Sequence, residues 1–142
     1  MKFQTEVPLF PANGKHIDFD AEIVLLGSCF TEHISDKLDF YKFNAQNNPF
    51  GILFHPRSIL TFLTNVHQNK IDENAVFFAD EQWKSFDAHS RLNYSSKTLF
   101  LNQLTAKIED CKSRFKTTSH FIITLGTAWS YRHLESQKYV SN

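Results

Sequence analysis

Two side chains that can act as nucleophiles lie side by side in the stretch VLLGSCFTEH, residues 24–33. Ser28 and Cys29 follow a glycine that ends an apolar run, and a helical pattern begins directly after them. A helix N-terminus stabilises an anion, and a thiolate held there is a good nucleophile. The structural alternative is that Gly27 makes the turn, Ser28 caps the helix and Cys29 is a small apolar group. The stretch therefore predicts either covalent catalysis or a turn that only connects two elements.

His33 lies four residues after Cys29, on the same face of the predicted helix. This spacing fits a thiol and its base, or two ligands of a metal ion. A zinc site needs a second pair of ligands, and the sequence offers none at suitable spacing; a surface histidine beside Glu32 is the alternative. We predict no metal and no cofactor.

Two further segments carry side chains suited to acyl chemistry. The loop NNPFG offers the amides of Asn47 and Asn48 and the N–H of Gly51 as donors to an oxyanion, although a plain turn has the same composition. In FDAHS, Asp87 and His89 share one face if the segment is a strand, and an aspartate that orients a histidine is an acid–base device. A structural role for this pair is the alternative.

Two buried strands must position these groups. EIVLL, residues 22–26, is typical of a strand inside a parallel sheet, and from Phe30 the apolar residues Ile34 and Leu38 predict a helix. HFIITLGT, residues 120–127, has the same strand character and also ends at a glycine. We expect Gly126, Thr127 and Trp129 to border a pocket, because this segment and the Ser28 turn both follow strand ends, and ligands bind beyond the carboxyl ends of parallel strands.

The remaining elements complete an α/β pattern. The sequence predicts an extended arm at 1–21, a strand at 41–45, a hairpin within 75–94 with Asp80 and Glu81 at its tip, and a hairpin turning at 135–137. It also predicts two helices. One begins at Pro56 and has the apolar residues Ile59, Leu60, Leu63 and Val66; the other begins at about Lys97 and has Leu101, Leu104, Ile108 and Phe115. Alternation of strands and helices favours a layered α/β domain with a β-hairpin excursion. Because the chain ends without a closing helix, we expect one domain, 1–142, truncated at its C-terminus.

The composition of the chain limits the classes of partner that it is expected to bind. Fifteen Lys and Arg balance fifteen Asp and Glu without a basic stripe, so we predict neither nucleic acid nor membrane as partner. Charged residues and Pro8 near the start argue against a signal peptide, so we expect a cytoplasmic chain. Only Cys29 and Cys111 could form a disulfide, and in the cytoplasm we expect both to be free thiols. Trp83 and Trp129 are candidates for the wall of a pocket, while most of the fifteen Phe residues fit a core.

These segments together resemble the GSCFA family. Its name motif corresponds to LGSCFTEHI, with Thr31 in place of Ala, and NPFGILFHP, WKSFDAHS and ITLGTAW follow in the family's order, over most of the chain. The family is related to the SGNH (GDSL-like) hydrolases, so the resemblance implies a three-layer flavodoxin-like sandwich that hydrolyses or transfers acyl esters. A small acyl ester or an acylated sugar is then the expected substrate.

The resemblance also implies roles for individual residues. Laid over the Gly-Asp-Ser of the superfamily, Gly27 matches the glycine, Ser28 the aspartate and Cys29 the nucleophile, with Ser28 as the alternative nucleophile if the turn is shifted by one residue. Gly51 corresponds to an oxyanion donor. Ala128 stands where the superfamily has a second donor, Asn, for which Asn47 or Asn48 could substitute.

A larger departure from the superfamily's pattern than Ala128 concerns the general base. The Asp-x-x-His block that carries the general base has no match, and His89 or His133 could replace it only if the fold brings one of them beside Cys29. The missing groups favour a second hypothesis: a non-catalytic module that binds a carbohydrate or peptide through Trp83, Trp129 and FDAHS on the same scaffold.

Overall fold

The computed structural model describes residues 7–8, 10, 14 and 16–140. In chain order the elements are β1 (Glu22–Gly27), α1 (Cys29–Phe40), β2 (Asn44–Asn47), α2 (Pro56–Gln68), a 3₁₀ turn (Glu73–Ala75), β3 (Val76–Ala79), β4 (Gln82–Ser85), a second 3₁₀ turn (Ser90–Leu92), α3 (Lys97–Arg114), β5 (His120–Thr124), β6 (Tyr131–Arg132) and β7 (Tyr139–Val140). The predicted arm at 1–21 lies largely outside the described residues.

β1 is the centre of the molecule and is buried on both faces. Ile23 and Leu25 pack toward α1, whereas Val24 and Leu26 belong to the larger core shared with α2 and α3. All four side chains are at most 1% exposed. Burial of one such side chain contributes roughly 1.5–3 kcal/mol, so the strand stabilises both halves of the core. The predicted buried strand is confirmed.

The sheet is parallel and lies between two helical layers. Its strand order is β2-β1-β5, with Leu25 paired to Asn47 on one side and to Ile122 on the other. This order corresponds to the first three strands of a flavodoxin-like sheet, whose order reverses between the first and third strands. The predicted three-layer α/β sandwich is therefore confirmed in an incomplete form, with three parallel strands among the described residues, and the hairpin β3–β4 is its excursion.

Two helical faces differ from the predictions. Phe30 is 57% exposed, and Thr31 and Ser35 take the buried positions of α1, with Ile34 and Leu38 packed beside them. Polar contacts at the start of α1, described below, rotate Thr31 inward. In α2 Leu60 is exposed instead of buried, because Ile59, Phe62 and Val66 form the core face.

Two strands also differ from expectation. β2 begins at Asn44 instead of residue 41, because the chain first turns through Lys42, whose φ is +67°. β5 was expected to be buried, but it is an edge strand with Phe121 and Ile123 about half exposed. The apolar run in β5 indicated burial on both sides, yet a pattern within one strand does not specify its place in the sheet.

The central hairpin is shorter than predicted. Asp80 and Glu81 form its tip as expected, and both have positive φ, as a two-residue turn of this kind requires. Strand pairing ends at Ser85, and the chain turns at residues 86–88. Asp87 and His89 therefore do not lie on one face of a strand.

α3 closes the core with a stripe of four fully buried side chains: Phe100, Leu104, Ile108 and Cys111. The predicted start at Lys97 is confirmed, with Ser96 as its cap. None of the helices in the described region has the length and apolar character needed to cross a bilayer.

Cys111 makes stability sensitive to alkaline pH. Burial raises the pKa of its thiol from 9.0 to about 12. Between these values the unfolded chain releases the thiol proton while the folded chain keeps it, so the free energy of unfolding should fall by about 1.4 kcal/mol per pH unit above pH 9. Urea unfolding at pH 8, 9 and 10.5 measures this slope. A Cys111→Ala variant should show a smaller slope, and an equal slope in both proteins would contradict the assignment.

Candidate functional site

The turn between β1 and α1 is pressed against the end of β5. Gly27 has a φ of +135°, and a Cβ placed on it would lie 2.0 Å from the carbonyl oxygen of Thr124. Its own carbonyl accepts a hydrogen bond from Leu53 N–H at 3.0 Å. Only glycine combines this backbone conformation with such a close approach, so the turn has a single geometry.

Ser28 is held within this turn. Its N–H donates to the Thr124 carbonyl at 3.1 Å, and its hydroxyl lies 3.0 Å from the Thr124 hydroxyl. The same hydroxyl accepts from Phe30 N–H at 3.4 Å and caps α1. With 9% of the residue exposed, Ser28 has its hydroxyl engaged in structure.

Cys29 is the first residue of α1 and is exposed. Its backbone N–H has no hydrogen-bond partner among residues 16–140, as expected for the first N–H of a helix. An accessible sulfur atom and an unpaired donor therefore occur in the same residue, at the positive end of the helix dipole.

Asn48 supports the turn from the side of β2. Its Oδ1 accepts from Gly27 N–H at 2.8 Å, and its Nδ2 donates to the Thr31 hydroxyl at 2.8 Å. That hydroxyl donates to the Ser28 carbonyl at 2.7 Å. Both ends of the Asn48 amide are thus used to hold the turn. The neighbouring Asn47 has a buried Oδ1 with no partner in the described part of the chain.

Gly51 and His89 meet beside this support. The N–H of Gly51 donates to the Asn48 carbonyl at 2.7 Å, and a Cβ on Gly51, whose φ is +77°, would lie 2.3 Å from the Cβ of His89. The His89 N–H donates to the Phe50 carbonyl at 2.9 Å. FDAHS is therefore packed against the NNPFG loop, as a turn rather than as a strand.

The ring of His89 has a defined hydrogen-bonding role. Its Nδ1 accepts from Arg91 N–H at 3.1 Å, so the neutral ring carries its proton on Nε2 and can donate from there. Burial, followed by the charge of Arg91, lowers the pKa of His89 and favours this neutral form. Arg91 in turn forms an ion pair with Glu32 at 2.5 Å, which ties this segment to the first turns of α1.

The loop after β5 forms the opposite wall of the turn. A Cβ on Gly126 would lie 3.2 Å from the Cβ of Ser28 and 2.8 Å from the Phe54 ring. Thr127 accepts from Trp129 N–H at 3.0 Å, and the Trp129 side chain is 86% exposed. Gly126 thus lies against the turn, while Trp129 faces solvent.

Other candidate residues lie apart from this cluster. Asp87 is partly buried, and burial raises the pKa of its carboxyl. Trp83 packs against the core with Lys97 over its ring, 5.0 Å from the centroid. His33 is exposed on α1. Within the described ranges no three His, Cys, Asp or Glu side chains gather as a metal site would require.

Three residues of the site are not among those predicted from the sequence. Thr124, Thr31 and Phe54 fix the turn through the contacts given above. The position of Thr124 at the end of an apolar strand could have indicated it, because the ends of adjacent parallel strands meet. Thr31 replaces the alanine of the family's name motif, and this difference could also have indicated a role for its hydroxyl.

Comparison with known proteins matches the chain to a family model. No curated protein sequence and no solved structure matches the chain. The model of the GSCFA family matches residues 22–142, which include β1, the Ser28 turn, the Asn48 loop and the loop after β5. Since this match covers most of the chain and all the segments that build the site, the chain belongs to the GSCFA family.

Proposed function

We propose that this domain forms an acyl-enzyme on Cys29 and acts as an SGNH-like esterase or acyltransferase. The observation that carries the proposal is the contrast within the turn: Cys29 is exposed with an unpaired N–H, whereas the hydroxyl of Ser28 is engaged with Thr124 and Phe30. Of the two neighbouring nucleophiles, only the thiol is accessible to a substrate.

The reaction follows the chemistry of thiol acylation. The Cys29 sulfur attacks the carbonyl carbon of an ester, a C–S bond forms, and the carbonyl oxygen becomes an oxyanion. Collapse of this intermediate breaks the C–O bond, and the alcohol leaves with the proton lost by the thiol. Water or a second alcohol then takes the acyl group from the thioester. We propose a small acyl ester or an acylated sugar as the donor.

Two donors are proposed for the oxyanion. The first is the N–H of Cys29, and the second is Nε2–H of His89, because the Arg91 N–H occupies the other ring nitrogen. The N–H of Gly51, which the resemblance implies for this role, already donates to Asn48 at 2.7 Å, so it would have to exchange that bond. His89 thus takes the part of a donor rather than of a base.

The first test locates the acyl group. After brief exposure to p-nitrophenyl acetate at pH 7.5, peptide mass spectrometry should find the acetyl group on the peptide that contains Cys29, as a thioester released by hydroxylamine. Cys111, which is buried, is the internal control and should remain unmodified. Acetylation of Ser28, or equal modification of both cysteines, would contradict the proposed nucleophile.

A further inference from the structure

A cleft with a volume of about 390 Å³ lies between α2 and the hairpin β6–β7. Arg57, Thr61 and Asn65 line it from α2, at intervals of four residues and hence on one face of the helix. Arg132 and Tyr139 line it from the hairpin. These residues belong neither to the Ser28 turn nor to the segments that support it.

Two positive charges converge on one ring in this cleft. The guanidinium carbon of Arg57 lies 3.9 Å from the centroid of the Tyr139 ring, and that of Arg132 lies 5.9 Å from it. The ring attracts each cation, but two like charges near the same ring repel each other. An anion between them would remove this repulsion.

The other charges of the cleft do not neutralise the pair. Lys138 and Asp72 form an ion pair with each other. Arg132 donates through Nε to the Gln137 carbonyl at 3.0 Å, and within the described residues neither guanidinium group pairs with a carboxylate. Asp87, which is partly buried and also lines the cleft, forms no ion pair with either arginine in the described part of the chain, and burial raises its pKa.

We propose that the cleft binds the phosphoryl group of a small phosphate ester. Guanidinium groups donate in pairs to phosphate oxygens, and a phosphoryl group has enough oxygens to accept from Arg57 and Arg132 at once. A carboxylate, by contrast, has two oxygens, and one guanidinium group donating a pair of hydrogen bonds already uses both. Thr61 and Asn65 supply hydrogen-bonding groups for the remainder of the ester. This site does not depend on the chemistry of Cys29.

Calorimetric titration with inorganic phosphate, at constant ionic strength, tests the proposal. Phosphate should bind at least 10-fold more tightly than acetate, and Arg57→Gln and Arg132→Gln should each weaken phosphate binding at least 10-fold. Lys112→Gln, which removes one positive charge from the surface of α3, is the matched control and should bind as the parent does. Circular dichroism checks that each variant is folded.

Three outcomes would overturn the proposal. They are no heat from phosphate in the folded parent, equal binding of phosphate and acetate, and unchanged binding in the variant that carries both arginine substitutions. Because the readout is binding, it is independent of acylation at Cys29.

Discussion

Replacing Gly27 with alanine is expected to lower the free energy of unfolding by more than about 4 kcal/mol at 25 °C. The added Cβ would lie 2.0 Å from the Thr124 carbonyl oxygen, and alanine rarely adopts a φ of +135°. A buried backbone clash combined with such strain costs more than about 4 kcal/mol, a large share of the 5–15 kcal/mol that stabilises a typical domain. Urea unfolding followed by circular dichroism measures the loss.

Gly14→Ala is the control for this prediction. Nothing lies within 4 Å of a Cβ built on Gly14, so this variant should unfold at nearly the same urea concentration as the parent. A Gly27→Ala protein as stable as the Gly14→Ala protein would show that β1 and β5 do not approach as closely as described.

The second large effect concerns the nucleophile. In rapid mixing with p-nitrophenyl acetate, the parent should release a burst of p-nitrophenol equal to the enzyme concentration, and Cys29→Ala should reduce the rate of this phase by roughly 1,000-fold or more, as expected when the group that forms the covalent bond is removed. The exposed sulfur has no substitute in alanine, and the adjacent hydroxyl is engaged with Thr124.

Two variants make this result specific. Cys111→Ala removes the other thiol and should keep the burst. Ser28→Ala should also keep it, while losing about 1 kcal/mol of stability through the missing helix cap. If Ser28→Ala removes the burst and Cys29→Ala retains it, the hydroxyl is the nucleophile and the turn is offset by one residue from the proposed alignment.

The fold was largely predictable because its signals are local. The apolar run of β1, the turn residues of the hairpin tip and the start of α3 at Lys97 each depend on residues a few positions apart, and the structure confirms all three. The exposed edge of β5 was not predictable in this way, since the same residues would suit a central strand.

The site was predictable only in part. Its glycines and the Ser28 turn follow from residue types next to a strand end, but the choice between Ser28 and Cys29 depends on Thr124, which is 96 residues from Ser28. The pairing of Asp87 with His89 failed as a strand prediction because the strand ends at Ser85 and the chain turns at residues 86–88. Contacts between distant segments leave no periodic signal.

The pairing of β1 with β5 also dictates when the site can exist during synthesis of the chain. β1 cannot pair with β5 until residues 120–124 have left the ribosome, because those residues form β5 and include Thr124, which contacts Ser28. Cys29 therefore acquires its final surroundings only once residues 120–124 are available, so no shorter nascent chain presents it in that geometry.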